Sequence, residues 1–389
     1  MKRYKLRELL TIKNGFDHKK LDNGKYPAYG SGGIMRYVNS YLYDKESVLL
    51  PRKGTLSNIQ YANEPFWTID TMYYTELKSE IIDAYYLYRY LSLPDLSGLD
   101  TGTGVPSMTF NSYYDIEVEI PNLTTQRKIA AVLKAIDDKI ALNDKINALL
   151  ERLARAVYDY YFVQFDFKNE RGKPYKSSGG AMIFNPTLNR PIPATFEVQN
   201  LNSNSLTRLI QPGILAFEGE KIYLPTANIQ NDKIVDFSNK ITHAKRESRA
   251  NMQPKANSVW FAKMKNSKKV LYFGDYSQEW LDKLILSTGL CGLQCEAKSL
   301  EYIWCFVNSA HFEILKDKLA HGATQEAVNN DDLLSIPLLI PADEVLSDFH
   351  KFTKPIFEQK YKNELESASL KALRDFLLPL LMSAQARVE

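Results

Sequence analysis

TTQRKIAAVLKAIDDKIALNDKINALLERLARAVYDYYF, residues 124–162, contains no glycine or proline. Apolar side chains recur in it at helical spacing, and the run predicts one long helix. With Ile129 at heptad position a, the a set is Ile129, Ile136, Asn143, Leu150 and Val157. The d set is then Val132, Lys139, Ile146, Leu153 and Tyr160, with Leu133, Ile140 and Ala154 widening the stripe. Thirty-nine such residues span about 58 Å. A rod of this kind cannot cover its own stripe and needs a partner helix.

On either side of this run the pattern is different. Residues 1–123 read as short strands and turns: Tyr37-Val38, Ser47-Val48-Leu49-Leu50 and Phe66-Trp67-Thr68-Ile69 are β-branched or aromatic runs between turn residues such as Asp22-Asn23-Gly24. One helix is expected from Ile81 to Leu91, before Pro94. Residues 164–195 are polar and turn-rich and read as an extended connector. A second strand-rich region follows at 196–341. A second long helix, bent at Pro355 and Pro379, is expected at 342–389.

The two halves look like one plan used twice. Tyr4-Lys-Leu-Arg matches Phe196-Glu-Val-Gln at an offset of 192, Ser47-Val48 matches Ser258-Val259 at 211, and Tyr86-Leu87 matches Tyr302-Ile303 at 216. The spacing from Gly104 to Asn111 recurs from Gly322 to Asn329 at 218, and Pro121 matches Pro341 at 220. That last offset runs ungapped through the helices, pairing Ile136 with Ile356, Asn143 with Asn363, Leu150 with Leu370, Leu153 with Leu373 and Val157 with Leu377. The expected fold class is therefore α+β: two β-rich heads, each followed by a long helix, the helices packed antiparallel as a coiled coil with pseudo-twofold symmetry. Asn143 and Asn363 would set the register.

Catalytic equipment is sparse. No G-x-x-x-x-G-K-[ST] loop occurs, and the glycine loops around Ser31 and Thr103 lack the strand–turn–helix setting of a dinucleotide fingerprint. Asp70 with Glu76 and Lys78 only faintly matches a nuclease set. Cys291, Cys295 and His311 lack a second ligand pair for zinc. The catalytic and metal-ligand sets are therefore expected to be empty. Three cysteines, a charged start with no apolar run behind it, and no apolar stretch of bilayer length point to a soluble cytoplasmic chain.

The 389 residues carry 49 Lys and Arg against 46 Asp and Glu, a net +3. That near-neutral total is unevenly distributed. Residues 240–270 hold nine basic residues and one acidic one, Glu247, while the remainder sums to −5. Interleaved with Asn251, Gln253, Trp260 and Asn266, this cluster suits a phosphate backbone with base edges nearby. The candidate DNA contacts there are Arg246, Arg249, Lys263, Lys265, Lys268 and Lys269. In the first half they are Lys19, Lys20, Arg52 and Lys53, with Ser31 and Thr103 in the glycine loops. Helix packing is assigned to Ile129, Ile136, Asn143, Leu150, Leu153, Ile356, Asn363, Leu370 and Leu373. A scaffold whose heads bind protein is the competing reading, and a stand-alone nuclease a third.

The stretch IPNLTTQRKIAAVLKAIDDKIALN, residues 120–143, resembles the central helix of specificity subunits of type I restriction–modification systems, with its Pro-x-x-x-x-Gln-Arg-x-Ile opening and Asp-Asp-Lys-Ile-x-Leu-Asn run. Tyr160–Phe167, Gly172–Gly180 and Arg190–Val198 are similar to that family's inter-domain connector, and Gly102–Met108 to the loop closing a target recognition domain. The second half departs most, with Gly322-Ala-Thr-Gln in place of the Gly-x-x-x-Pro-Ser form. The resemblance implies two target recognition domains, 1–123 and 196–341, each reading half of a bipartite double-stranded DNA target. It also implies spacer helices at 124–163 and 342–389, which dock two methyltransferase subunits, with ATP-dependent restriction subunits joining. S-adenosylmethionine, ATP and magnesium would sit on those partners and no cofactor on this chain.

Overall fold

The computed structural model describes residues 1–93, 106–323 and 325–388. The chain divides into two compact units: Met1–Asn143 with Glu366–Glu389, and Asp144–Leu365. Two helices contribute to both: Leu123–Tyr158, continued by a π-helical turn at Asp159–Val163, and Asp343–Met382. Pro355 and Pro379 both lie inside the second helix.

In the first unit, the four-stranded antiparallel sheet has the order Leu10–Asn14, Met72–Leu77, Ser47–Pro51, Gln60–Ala62. Ser47–Pro51 is buried along its whole length, which suits its continuous apolar run. Its one polar member, Ser47, donates to the Thr75 carbonyl at 2.8 Å. A second sheet runs Gly33–Val38, Asn23–Gly30, Trp67–Thr68, the last pair parallel. Lys2–Lys5 pairs with Glu117–Ile120. The expected helix at Ile81 starts at Ala84 instead, because the Asp83 carboxylate accepts from the Tyr86 amide at 2.9 Å and caps it. Gln126 fastens the long helix beside that cap. Its amide nitrogen donates to the Ile81 and Pro121 carbonyls, and its oxygen accepts from the Asp83 amide. Ile129 and Leu133 then enter the same core as Leu378 and Leu381 of the second long helix.

The second unit has a four-stranded sheet in the order Thr207–Leu209, Leu290–Cys295, Ser258–Ala262, Val270–Phe273. Beside it lies another, Lys240–Ile241, Lys221–Leu224, Leu284–Ser287, Ala250–Met252, whose middle pair is parallel. Glu197–Asn200 pairs with Pro337–Ile340. Its bond pattern aligns with that of Lys2–Lys5 at an offset of 195, not the 192 suggested by matching Tyr4 to Phe196. An odd three-residue slip would exchange the strand's two faces. The stretch expected to be an extended connector is folded. It forms the hairpin Met182–Asn185/Arg190–Pro193, and Phe167 stacks between Tyr175 and Phe196 at 4.8 and 5.3 Å.

The long helices run in opposite senses within each unit. In the first, Arg374 pairs with Asp137 at 3.0 Å, and Asn143 donates to Glu366 at 2.8 Å and Ser367 at 3.2 Å. In the second, Asn363 donates to Asn147 at 2.7 Å. The seam differs from the expected one. Ile129, Ile136, Asn143, Ile356 and Asn363 are buried and Leu150 and Leu370 half-buried, but Leu153 and Leu373 are 45% and 44% exposed. The buried residues beside the a set are Leu133, Ile140, Asn147 and Ala154, four positions after each a residue and not three. Leu153 and Leu373 therefore fall outside the packed face.

One buried cation organises the second unit. The Lys360 side chain is 1% exposed, and its ammonium is 3.0 Å from Asp232 and 3.4 Å from Glu151 and lies over the Trp304 ring. Removing one member of such a set strands the others' charge. Lys360→Ala should therefore cost about 3–5 kcal/mol in chemical denaturation. Nearby, burial pushes the Glu364 carboxyl up to about 8, against the opposing pull of Lys360. The folded chain then holds a proton that the unfolded chain releases above its ordinary 4.5, so this group's contribution to stability falls as pH rises from there to about 8. Glu364→Gln should flatten that part of the stability–pH curve.

Candidate nucleic-acid interface

In the first unit three turns meet. The hairpin loop Ser31-Gly32 lies against Gly54, whose Cα faces the Ser31 hydroxyl. Asn58 donates to the Ser31 carbonyl at 2.7 Å and Gln60 to the Gly30 carbonyl at 2.8 Å. Arg52 and Lys53 sit at the end of Ser47–Pro51, bracketed by two backbone bonds. The Met108 amide donates to the Arg52 carbonyl at 3.0 Å, and the Gly54 amide to the Pro106 carbonyl at 2.9 Å. The Arg52 guanidinium also reaches the Asp70 carbonyl. Ser31, Arg52 and Lys53 are thus brought together. Lys19 and Lys20 are exposed on the neighbouring loop, whose Leu21 carbonyl accepts from Arg36. Thr103 lies outside the described residues.

The second unit has the same bracket. The Val328 amide donates to the Lys263 carbonyl at 3.0 Å, and the Lys265 amide to the Glu326 carbonyl at 3.0 Å. Lys263 thus occupies the place of Arg52, first after a five-residue buried strand. Around the Thr288–Gly289 turn, the Arg249 carbonyl accepts from Thr288 and the Lys263 amide donates to Gly289. Arg246 lies on the exposed loop before it and bends back to the His243 carbonyl.

The charge read from sequence is partly neutralised here. Lys265 pairs with Glu326 at 2.7 Å and Lys240 with Glu220 at 3.2 Å, while the Lys269 ammonium donates to the Thr226 carbonyl. Lys263 and Lys268 have no ion pair among the described residues. The turn carrying them is held from beneath by Lys316, fully buried, which donates to the Ser267 carbonyl at 3.0 Å and pairs with Glu313 at 2.8 Å. Lys316 and Glu326 come from distant segments and gave no sequence signal.

The alternative chemistries find little support in this geometry. Glu76 pairs with Lys13 at 3.6 Å, and the Asp70 side chain is exposed. Cys291 and Cys295 lie in the core, where burial pushes both thiols up, Cys291 to about 12, which disfavours the thiolate that a metal would need. Among the described residues, no helix is long and apolar enough to cross a membrane.

The model of the type I restriction modification DNA specificity domain matches residues 1–152. That stretch is similar to this family of specificity domains. The likeness extends beyond it. The MjaIX specificity subunit of Methanocaldococcus jannaschii is 25% identical over 90% of this chain and 79% of its own. The HindI specificity subunit of Haemophilus influenzae is 23% identical over 72% and 71%. The crystal structure of a type I restriction–modification S subunit from M. genitalium shares the fold, with a TM-score of 0.59 over 98% of this chain and 95% of the other at 14% identity.

On a DNA-binding surface, the engaged and unengaged lysines should differ in solution. Each phosphate contact adds about one to the salt slope of DNA binding. Lys263→Ala and Lys268→Ala should each lower the slope, measured by fluorescence anisotropy across salt concentrations. Lys265→Ala should change it less, because its ammonium is already paired.

Proposed function

We propose that this chain is the DNA-specificity subunit of a type I restriction–modification complex and that each of its units reads one half of a bipartite target. The observation that carries the reading is the shared backbone bracket, which presents Arg52 in one unit and Lys263 in the other at the end of equivalent strands. A cation so placed can take a phosphate or a guanine edge. The similar orders of the four-stranded sheets Leu10–Asn14, Met72–Leu77, Ser47–Pro51, Gln60–Ala62 and Thr207–Leu209, Leu290–Cys295, Ser258–Ala262, Val270–Phe273 support a duplicated plan. In this reading the long helices are an antiparallel coiled coil that sets the distance between half-sites. Apolar residues left in solvent on the first of them, among them Leu142, Leu149 and Leu153, suit the docking of methyltransferase subunits. Methylation and ATP-driven restriction, with S-adenosylmethionine, ATP and magnesium, belong to the partners, and this chain contributes recognition without catalysis.

Footprinting of the assembled methyltransferase complex tests the division of labour. Arg52→Ala should weaken protection of one half-site and Lys263→Ala of the other, each by about 1–3 kcal/mol if the cation reads a base. Equal loss across both half-sites from either change would contradict it.

A further inference from the structure

The edge strand Gly33–Val38 of the first unit displays apolar side chains where a solvent-facing strand would carry polar ones. Ile34 is 48% exposed and Met35 58%. Successive strand residues ordinarily point to opposite faces, and here the pairing departs from that regular alternation. The register shows how: Ala28 faces Arg36 and Tyr29 faces Ile34, leaving Met35 as the extra residue of a β-bulge. Gly30 makes room for it. A Cβ there would lie 2.7 Å from the Met35 sulfur.

This ledge is not a loose tip. Asn58 and Gln60 bind the carbonyls of Ser31 and Gly30 and fix the hairpin to the loop that carries Arg52 and Lys53. Arg36, next along the strand, ties it to the loop that carries Lys19 and Lys20. A small apolar surface is therefore held between cationic loops. A protein interface can also set an apolar centre within a polar rim, but here the flanking charge is of one sign, which suits a polyanion. Duplex DNA matches the arrangement, with phosphates along both flanks. In the major groove its one apolar marker is the thymine C5 methyl. Strands of β-ribbons and β-sheets are also known to enter DNA grooves.

The geometry points to Ile34 and Met35 as specificity-determining residues that read thymine methyl groups in the major groove of the half-site bound by the first unit. The inference rests on the DNA-specificity reading and adds the chemical feature being read. Losing one buried methyl contact is expected to weaken binding about fourfold.

The test uses the complete complex with its methyltransferase subunits and duplexes carrying its methylated target. Each thymine is replaced in turn by deoxyuridine, which lacks only the methyl. One or two positions, all in one half-site, should lose about fourfold in affinity. In the Ile34→Ala/Met35→Ala complex those same positions should no longer distinguish thymine from uracil, while the other half-site is bound as before. A wild-type complex indifferent to every replacement overturns the assignment, and so does a variant that keeps the wild-type profile. Loss of methyltransferase assembly, or a changed oligomeric state, with the thymine profile intact would give the ledge to a protein partner and equally overturn it. Failure of the wild-type complex to prefer any duplex would overturn the DNA-specificity reading itself and is visible before any thymine is replaced.

Discussion

An uninterrupted helix with an apolar stripe must bury that stripe, and this requirement shapes both units. The first long helix places Ile129 and Leu133 in one core, and further along it places Ala154 in another, followed by Phe162 of its π-helical turn. The second does the same in reverse, with Ile356 and Phe357 in the second unit's core and Leu378 and Leu381 in the first's. The largest core of each unit includes residues of both long helices, beside a smaller cluster without helix residues. The basic loops therefore stand on sheets whose packing depends on helix contacts, and Gln126 shows how closely the helix is joined to the head.

Polar residues sharpen the fit of these helices. Asn143 with Glu366 and Ser367 in one unit, and Asn147 with Asn363 in the other, leave few registers in which every buried amide finds a partner. Lys360 adds a condition within the second unit. It recruits Asp232 from the turn of the Ile229–Ile234 hairpin, so that hairpin is held by a buried charge. The first unit's hairpin, fastened at Ser31 by Asn58, leaves its apolar edge strand in solvent.

The long helix was legible because 39 residues without glycine or proline carry a strong periodic signal. The match of Ser47-Val48 with Ser258-Val259 falls on strands that pair alike in the two units. Finer placement was not legible. Heptad steps of three put Leu153 in the seam, whereas the helix packs on steps of four and buries Ala154. Residue counts gave the second head a dense positive patch. Which lysines stay available was hidden, because Glu326 and Thr226 reach Lys265 and Lys269 from far along the chain. The exposed Ile34 and Met35 depend on a bulge and a close approach over Gly30, neither of which a residue pattern announces.

The central claim is that two units of one chain each choose half of a DNA target. Methylome sequencing of cells with and without this chain, and of cells in which residues 1–122 are exchanged for those of a relative, tests it most directly. The account predicts a bipartite methyladenine motif that is lost with the chain and changes in one half only after the exchange. An unchanged methylome, or an exchange that alters both halves together, would contradict it.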